Sequence, residues 1–158
     1  MNICLGGTFD PMHKGHRALF DKAIDLVGKD KLYVGLTGDG FAAGSRNGQD
    51  ISCFEERKRN IEKYLEDRGV EHTIVVINDR YGIAHQEESF EAIVVSQETY
   101  LLAVSINQLR VENDLNRLHI FVVDMVRNPR GEVIKGTSIR NGKMDTEGAP
   151  LENGGGGP

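Results

Sequence analysis

The chain has 158 residues, 39% of them hydrophobic and 27% charged, with a formal net charge of −5. That length holds one ordinary domain rather than two, and the acidic balance argues against a nucleic acid gripped through its phosphates, because such proteins carry a basic excess. Cys4 and Cys53 lie far apart without a CxxC pattern and read as reduced thiols of a cytosolic protein; the first apolar run is too short for a secretory signal, and no segment approaches a membrane span.

Residues 2–5 (NICL) read as a short buried strand, with Gly6 and Gly7 as the turn leaving it. Residues 16–27 place Leu19, Ala23 and Leu26 on one helical face, with Phe20, Ile24 and Val27 beside them, and Gly28 as the stop. Residues 31–37 (KLYVGLT) form a second strand, and the Gly-, Ser-, Asn- and Asp-rich stretch 38–51 is expected to be a mobile loop. Ser52 and Glu55 have capping-box spacing and open a helix that turns Phe54, Ile61, Tyr64 and Leu65 inward and stops before Gly69. Residues 72–78 and 91–96 are the third and fourth strands, 98–112 a helix, 118–124 a fifth strand and 138–143 a short helical turn. Residues 149–158 are Gly-rich with nothing to bury and are expected to be a disordered tail, which leaves 1–148 as one domain.

Strands that are continuous apolar runs, alternating with amphipathic helices, imply a parallel sheet covered on both faces. The expected fold is therefore α/β, a Rossmann-like doubly wound sheet of about five parallel strands with helices on both faces. Ligands in such folds sit outside the carboxyl ends of the strands where strand order reverses. With the first three strands wound one way, the first and fourth become neighbours at that point. The segments that follow them, GGTFDPMHKGH (6–16) and SQET (96–99), then mark the site.

Neither the dinucleotide fingerprint GxGxxG nor the Walker pattern follows the first strand. Thr8 offers a hydroxyl, and His13 and His16 fall at the start of the following helix, where the helix dipole and side-chain donors favour phosphate. A zinc pair is the competing reading of two histidines three apart, but apart from Asp10 no Cys or acidic cluster nearby completes a ligand set. His72, His85 and His119 read as ordinary structural histidines.

GTFDPMHKGH resembles the HxGH signature of the nucleotidyltransferase superfamily, and IKGTSIR (134–140) resembles its second signature, with Lys135 and Gly136 where many relatives have serines and Ser138 where many have arginine. FEERKRNIEKYL (54–65), VVSQET (94–99), INQLR (106–110) and VDMV (123–126) resemble the archaeal and eukaryotic branch of the phosphopantetheine adenylyltransferase family. The resemblance implies adenylyl transfer from ATP to 4′-phosphopantetheine with Mg2+ carried by the nucleotide rather than by a dedicated protein site. It implies His16 and His13 as the catalytic pair, and Phe9, Asp10, Ser96, Glu98, Thr99, Thr137, Ser138 and Arg140 as further ATP contacts. Thr8, Arg46, Arg57, Asp79, Tyr81 and Gly82 fall to the acceptor, with Arg57 alternatively part of an exposed helical Glu/Arg face. The implied protein acts in the cytoplasm as a monomer or small homo-oligomer, without nucleic-acid or membrane partners. Adenylyl or cytidylyl transfer to nicotinamide mononucleotide, FMN or glycerol phosphate, and a non-catalytic nucleotide-binding module, are the alternatives.

Overall fold

A computed structural model describes residues 1–45, 50–124, 126–135, 139, 142, 144–149 and 151. Five parallel strands form one sheet: β1 (Ile3–Gly7), β2 (Leu32–Thr37), β3 (His72–Ile77), β4 (Ala92–Ser96) and β5 (His119–Val123), in the order β3-β2-β1-β4-β5. The helices are α1 (Lys14–Val27), α2 (Asp39–Ser45), α3 (Phe54–Glu66) and α4 (Tyr100–Glu112), with a 3₁₀ turn at Gln97–Thr99 leading into α4. The expected Rossmann-like parallel sheet is what the chain forms, with the first and fourth strands adjacent at the reversal.

Side-chain alternation along β1 explains the layering. Ile3 and Leu5 join Leu32, Val34, Leu36 and Val94 in one buried cluster with Phe20 and Ala23 of α1 and Ile61 and Leu65 of α3. Cys4 points the other way, into a second cluster with Ile93, Val95, Phe90, Ala103 and Ile106. Each fully buried Leu, Ile or Phe contributes roughly 1.5–3 kcal/mol of transfer free energy, so two-sided burial is what holds these central strands.

Register decides where the crevice opens. β1 pairs with β2 through all five of its residues, from Ile3↔Leu32 to Gly7↔Leu36. Its pairing with β4 is confined to Ile3↔Ala92 and Cys4↔Ile93. Beyond Cys4 the paired register ends, and a gap opens between the carboxyl ends of the two strands.

Three local expectations are corrected. Gly6 and Gly7 belong to β1 rather than to a turn after it, because parallel pairing with Gly35 and Leu36 of β2 continues through them. Within the stretch expected to be a loop, Asp39–Ser45 is helical, and the capping box expected at Ser52 does not form: the N-cap of α3 is Cys53, with no side-chain cap bond. Tertiary carboxylates serve instead, Asp39 Oδ1 accepting the Phe54 N–H at 2.7 Å and Asp10 Oδ2 the Ser52 N–H at 2.8 Å. At the expected helical turn near the end, the Ile139 N–H bonds the Lys135 carbonyl at 3.2 Å and the Gly142 N–H the Ile139 carbonyl at 3.0 Å. Most of the expected tail lies outside the described residues. Among the described residues, no helix is long and apolar enough to cross a membrane.

Candidate active site

The segment after β1 turns sharply into α1. Phe9 takes a φ of 50°, in the left-handed region that side chains seldom occupy, and its ring lies across Gly7: a Cβ there would stand 3.1 Å from Phe9 Cζ. From that position Phe9 meets His16 edge-on, ring centroids 5.1 Å apart, and packs on Phe20 at 5.0 Å. The second glycine is therefore a platform for an aromatic ring that anchors the histidine segment to the core.

His13 and His16 form a reciprocal cap on α1. His13 is the N-cap; its Nδ1 accepts the His16 N–H at 3.3 Å, and the His13 N–H lies 3.4 Å from His16 Nδ1. The rings stack with centroids 3.6 Å apart and planes 18° from parallel. His16 Nδ1 also lies 3.1 Å from the Pro11 carbonyl. Nδ1 of each ring thus faces backbone at the turn that opens α1. The glycine between them is required by this packing, since a Cβ on Gly15 would fall 2.8 Å from His13 Cε1 and 3.0 Å from its Nδ1. Gly15→Ala is expected to displace the His13 ring and to lower turnover by about tenfold while costing about 1–3 kcal/mol of stability, measured by steady-state assay beside thermal unfolding.

Two cavities of about 230 Å³ each open at the carboxyl ends of the strands. One is polar and lies between the His segment and the start of α4: Thr8, Phe9, His13, His16, Ser96, Glu98 and Thr99 line it, together with Asp124 and Lys135. The other is mostly apolar and runs over Tyr33, Gly35, Val75 and Ile77, walled by Asp79, Tyr81 and Gly82 and by Leu102, Ala103 and Ile106 of α4. Gly6, Gly7, Val94, Val95 and Thr99 line both, so the two meet at the β1/β4 gap. In the apolar cavity burial pushes the Cys4 thiol up to about 12, which keeps it neutral. Asp79 Oδ1 accepts the Tyr81 and Gly82 N–H groups at 2.9 and 2.7 Å, a turn that sets the far wall.

Most expected site residues are brought together here, and some are placed differently. Asp10 lines neither cavity; it is 8% exposed and accepts from the backbone of Ser52. Arg57 is neither an exposed helical residue nor a cavity lining: it is 0% exposed. Its Nε donates to the Ser52 carbonyl at 2.7 Å, one terminal nitrogen to the Thr8 carbonyl at 3.2 Å and to Thr37 Oγ1 at 3.3 Å, and the other to Asp39 Oδ1 at 3.2 Å. It touches the site through Thr8 rather than by direct reach. Arg46, Thr137, Ser138 and Arg140 lie outside the described residues.

Sequence reading passed over Thr37, Asp124 and Arg110. Thr37 ends an apolar strand on the carboxyl side of the sheet, the place where α/β sites collect polar groups. Arg57 shares a helix face with Ile61 and Leu65, and Arg110 shares one with Ala103 and Ile106. That spacing marks both as inward-facing.

A Rossmann-like sheet with an HxGH segment at its switch point defines a nucleotidyltransferase site, and the chain belongs to the cytidylyltransferase-like family, whose model matches residues 4–142. Its relatives narrow the class to the phosphopantetheine adenylyltransferases. The chain is 40% identical over 146 residues to the enzyme of that name from Methanothermobacter thermautotrophicus, spanning 92% of this chain and 87% of the relative. It is 39% identical over 151 residues to the one from Thermococcus gammatolerans, spanning 95% and 94%. A solved structure of a protein of unknown function from Archaeoglobus fulgidus is similar at a TM-score of 0.71 and 38% identity, covering 85% of this chain and 100% of that one.

Proposed function

We propose that this chain transfers the adenylyl group of ATP to 4′-phosphopantetheine, giving dephospho-CoA and pyrophosphate, the penultimate step of coenzyme A synthesis. The observation that carries this reading is the pair of joined cavities. A polar one lined by the histidines suits a nucleotide triphosphate, and an apolar one opening from the same floor suits an extended, uncharged pantetheine arm. The names of the archaeal relatives agree with it.

In this reaction a phosphate oxygen of the acceptor attacks the α-phosphorus of ATP, and the bond from that phosphorus to the bridging oxygen of the β-phosphate breaks as pyrophosphate leaves. The acceptor phosphate is already anionic, so no general base is needed. The protein aligns the three groups and stabilises the added charge. We assign His16 as the main donor to the transition state and His13 beside it on the nucleotide phosphates. Thr8 holds the acceptor phosphate, Phe9, Ser96, Glu98 and Thr99 the nucleotide, and Asp79, Tyr81 and Gly82 the pantetheine arm. Thr137, Ser138 and Arg140 are assigned to the β- and γ-phosphates and Arg46 to the acceptor phosphate on the resemblance of their segments alone. Mg2+, expected with the triphosphate rather than in a dedicated protein site, would neutralise charge on the leaving pyrophosphate. Glu98 and Asp124 are the carboxylates among the cavity's described lining, oxygen ligands of the kind such a hard cation takes. The free thiols of Cys4 and Cys53 fit a reducing, cytosolic setting.

The test is an acceptor panel of 4′-phosphopantetheine, nicotinamide mononucleotide, FMN and glycerol phosphate with ATP and with CTP, read as pyrophosphate release and product identity. The expected result is dephospho-CoA from ATP and 4′-phosphopantetheine. Turnover confined to another acceptor, or none at all, overturns the reading.

A further inference from the structure

We propose that Thr37 is a positioning residue that turns the Thr8 hydroxyl proton toward the polar cavity, through a hydrogen-bond relay that begins at Arg57. The inference rests on the assignment of Thr8 to the acceptor phosphate.

The direction of the relay is that of its hydrogen bonds, from Arg57 to Thr37 and from Thr37 to Thr8. A guanidinium donates and never accepts, so the 3.3 Å contact from Arg57 makes Thr37 Oγ1 an acceptor. The single proton of Thr37 then goes to the next oxygen, Thr8 Oγ1, 3.0 Å away. With that lone pair used, the proton of Thr8 is directed away from Thr37, and Thr8 lines the polar cavity. The same Arg57 nitrogen holds the Thr8 carbonyl at 3.2 Å, so backbone and hydroxyl are fixed from one side. Thr37 and Thr8 are 5% and 7% exposed and Arg57 is 0%, which keeps competing water from rotating the hydroxyls.

The arrangement also crosses the site. Thr37 lines the apolar cavity and Thr8 the polar one, so the relay spans the junction where the acceptor phosphate must meet the α-phosphorus. A hydroxyl presented as donor, backed by a buried cation, has the polarity that suits an anion, and donors polarised by an ionised group make stronger hydrogen bonds than neutral ones. The positive charge of Arg57 thereby acts on the phosphate without leaving the core.

Thr37→Val removes the hydroxyl at nearly constant volume, and Thr37→Ser keeps it. For Thr37→Val the expected result is a loss of about tenfold in kcat/KM for 4′-phosphopantetheine, with the dissociation constant for ATP, titrated alone, changed less than twofold; Thr37→Ser restores activity to within about twofold of wild type. Should Thr37→Val fail to fold, Thr37→Ala against Thr37→Ser carries the same comparison. Wild-type kinetics for Thr37→Val, equal loss in the Ser variant, or parallel weakening of ATP binding each overturn the relay. A wild-type chain that forms no dephospho-CoA fails differently, removing the assignment of the acceptor itself.

Discussion

Replacing His16 by Asn lowers the turnover of adenylyl transfer by about 10²-fold or more, the loss typical of removing one preorganised transition-state donor. The choice of Asn separates chemistry from folding. His16 Nδ1 lies 3.4 Å from the His13 N–H and 3.1 Å from the Pro11 carbonyl, and the side-chain amide of Asn places polar atoms near that nitrogen's position. What Asn lacks is Nε2, the nitrogen we assign to phosphate. His16→Ala removes both, along with the stack on His13 and the edge contact with Phe9. Both variants are expected to lose turnover alike, while thermal unfolding falls further for Ala, by about 1 kcal/mol for the lost cap. Because the donor acts on charge that develops during the reaction, the loss appears in kcat with the KM for ATP nearly constant. A variant retaining a tenth or more of wild-type turnover would remove His16 from the role given to it.

Arg110→Met destabilises the fold by about 3–5 kcal/mol, a loss that lowers the unfolding midpoint of a domain this size by roughly 10 °C. Arg110 is 1% exposed. Its Nε donates to the Asn116 carbonyl at 2.7 Å, one terminal nitrogen to the carbonyls of Ala84 and Glu87 at 2.8 Å each, and the other to Phe90 at 3.4 Å. Burial presses its pKa below the usual arginine range, but these carbonyl dipoles surround the cation and satisfy its donors. Methionine has similar reach and no donor, so the carbonyls become buried acceptors without partners, and it is this, more than any volume change, that costs stability. The same contacts hold residues 84–90 against α4, next to Tyr81 and Gly82 on the wall of the apolar cavity. The KM for 4′-phosphopantetheine is therefore expected to rise while that for ATP stays near wild type. The control is Arg68→Ala: that side chain is exposed and stacks on the Tyr64 ring at 3.5 Å, and its loss costs no more than about 1 kcal/mol. Urea unfolding of the two variants checks both values, and equal stabilities would contradict the account.

Both arginines show how a side chain's chemistry escapes a reading made along the chain. FEER was legible as a helical start with an exposed Glu/Arg face, and INQLR as a helical segment that carries part of the family resemblance. Burial of the guanidinium is decided by what stands across from it. For Arg57 these are Thr8, Thr37, Asp39 and Ser52, and for Arg110 the carbonyls at 84, 87, 90 and 116. None of these pairings has a sequence signal beyond the helical spacing to Ile61 and Leu65, or to Ala103 and Ile106. The capping box expected at Ser52 failed for a related reason: Asp10 reached the Ser52 N–H that Glu55 would have capped, and Asp39 reached the neighbouring Phe54 N–H, which replaced the local solution. The mobile loop expected after β2 misjudged Asp39–Ser45, because Gly and Ser raise the local cost of a helix without setting what the surrounding fold returns.

By itself, the sequence determined the alternation of strands and helices, the parallel sheet and the segment to which the chemistry is assigned, because each depends on short-range relations. Apolar runs that must be buried on both faces form central strands, and an i, i+3 pair of histidines at a helix start caps it reciprocally within a single turn. Gly7 and Gly15 belong to the same class: the rings that require them are two residues away. The tertiary structure alone decided that β1 and β4 part after Cys4, that a polar and an apolar cavity share the floor so exposed, and that Arg57 serves Thr8 from inside the core. Those outcomes rest on contacts between segments tens of residues apart, whose geometry is set only when the whole sheet closes around its two clusters.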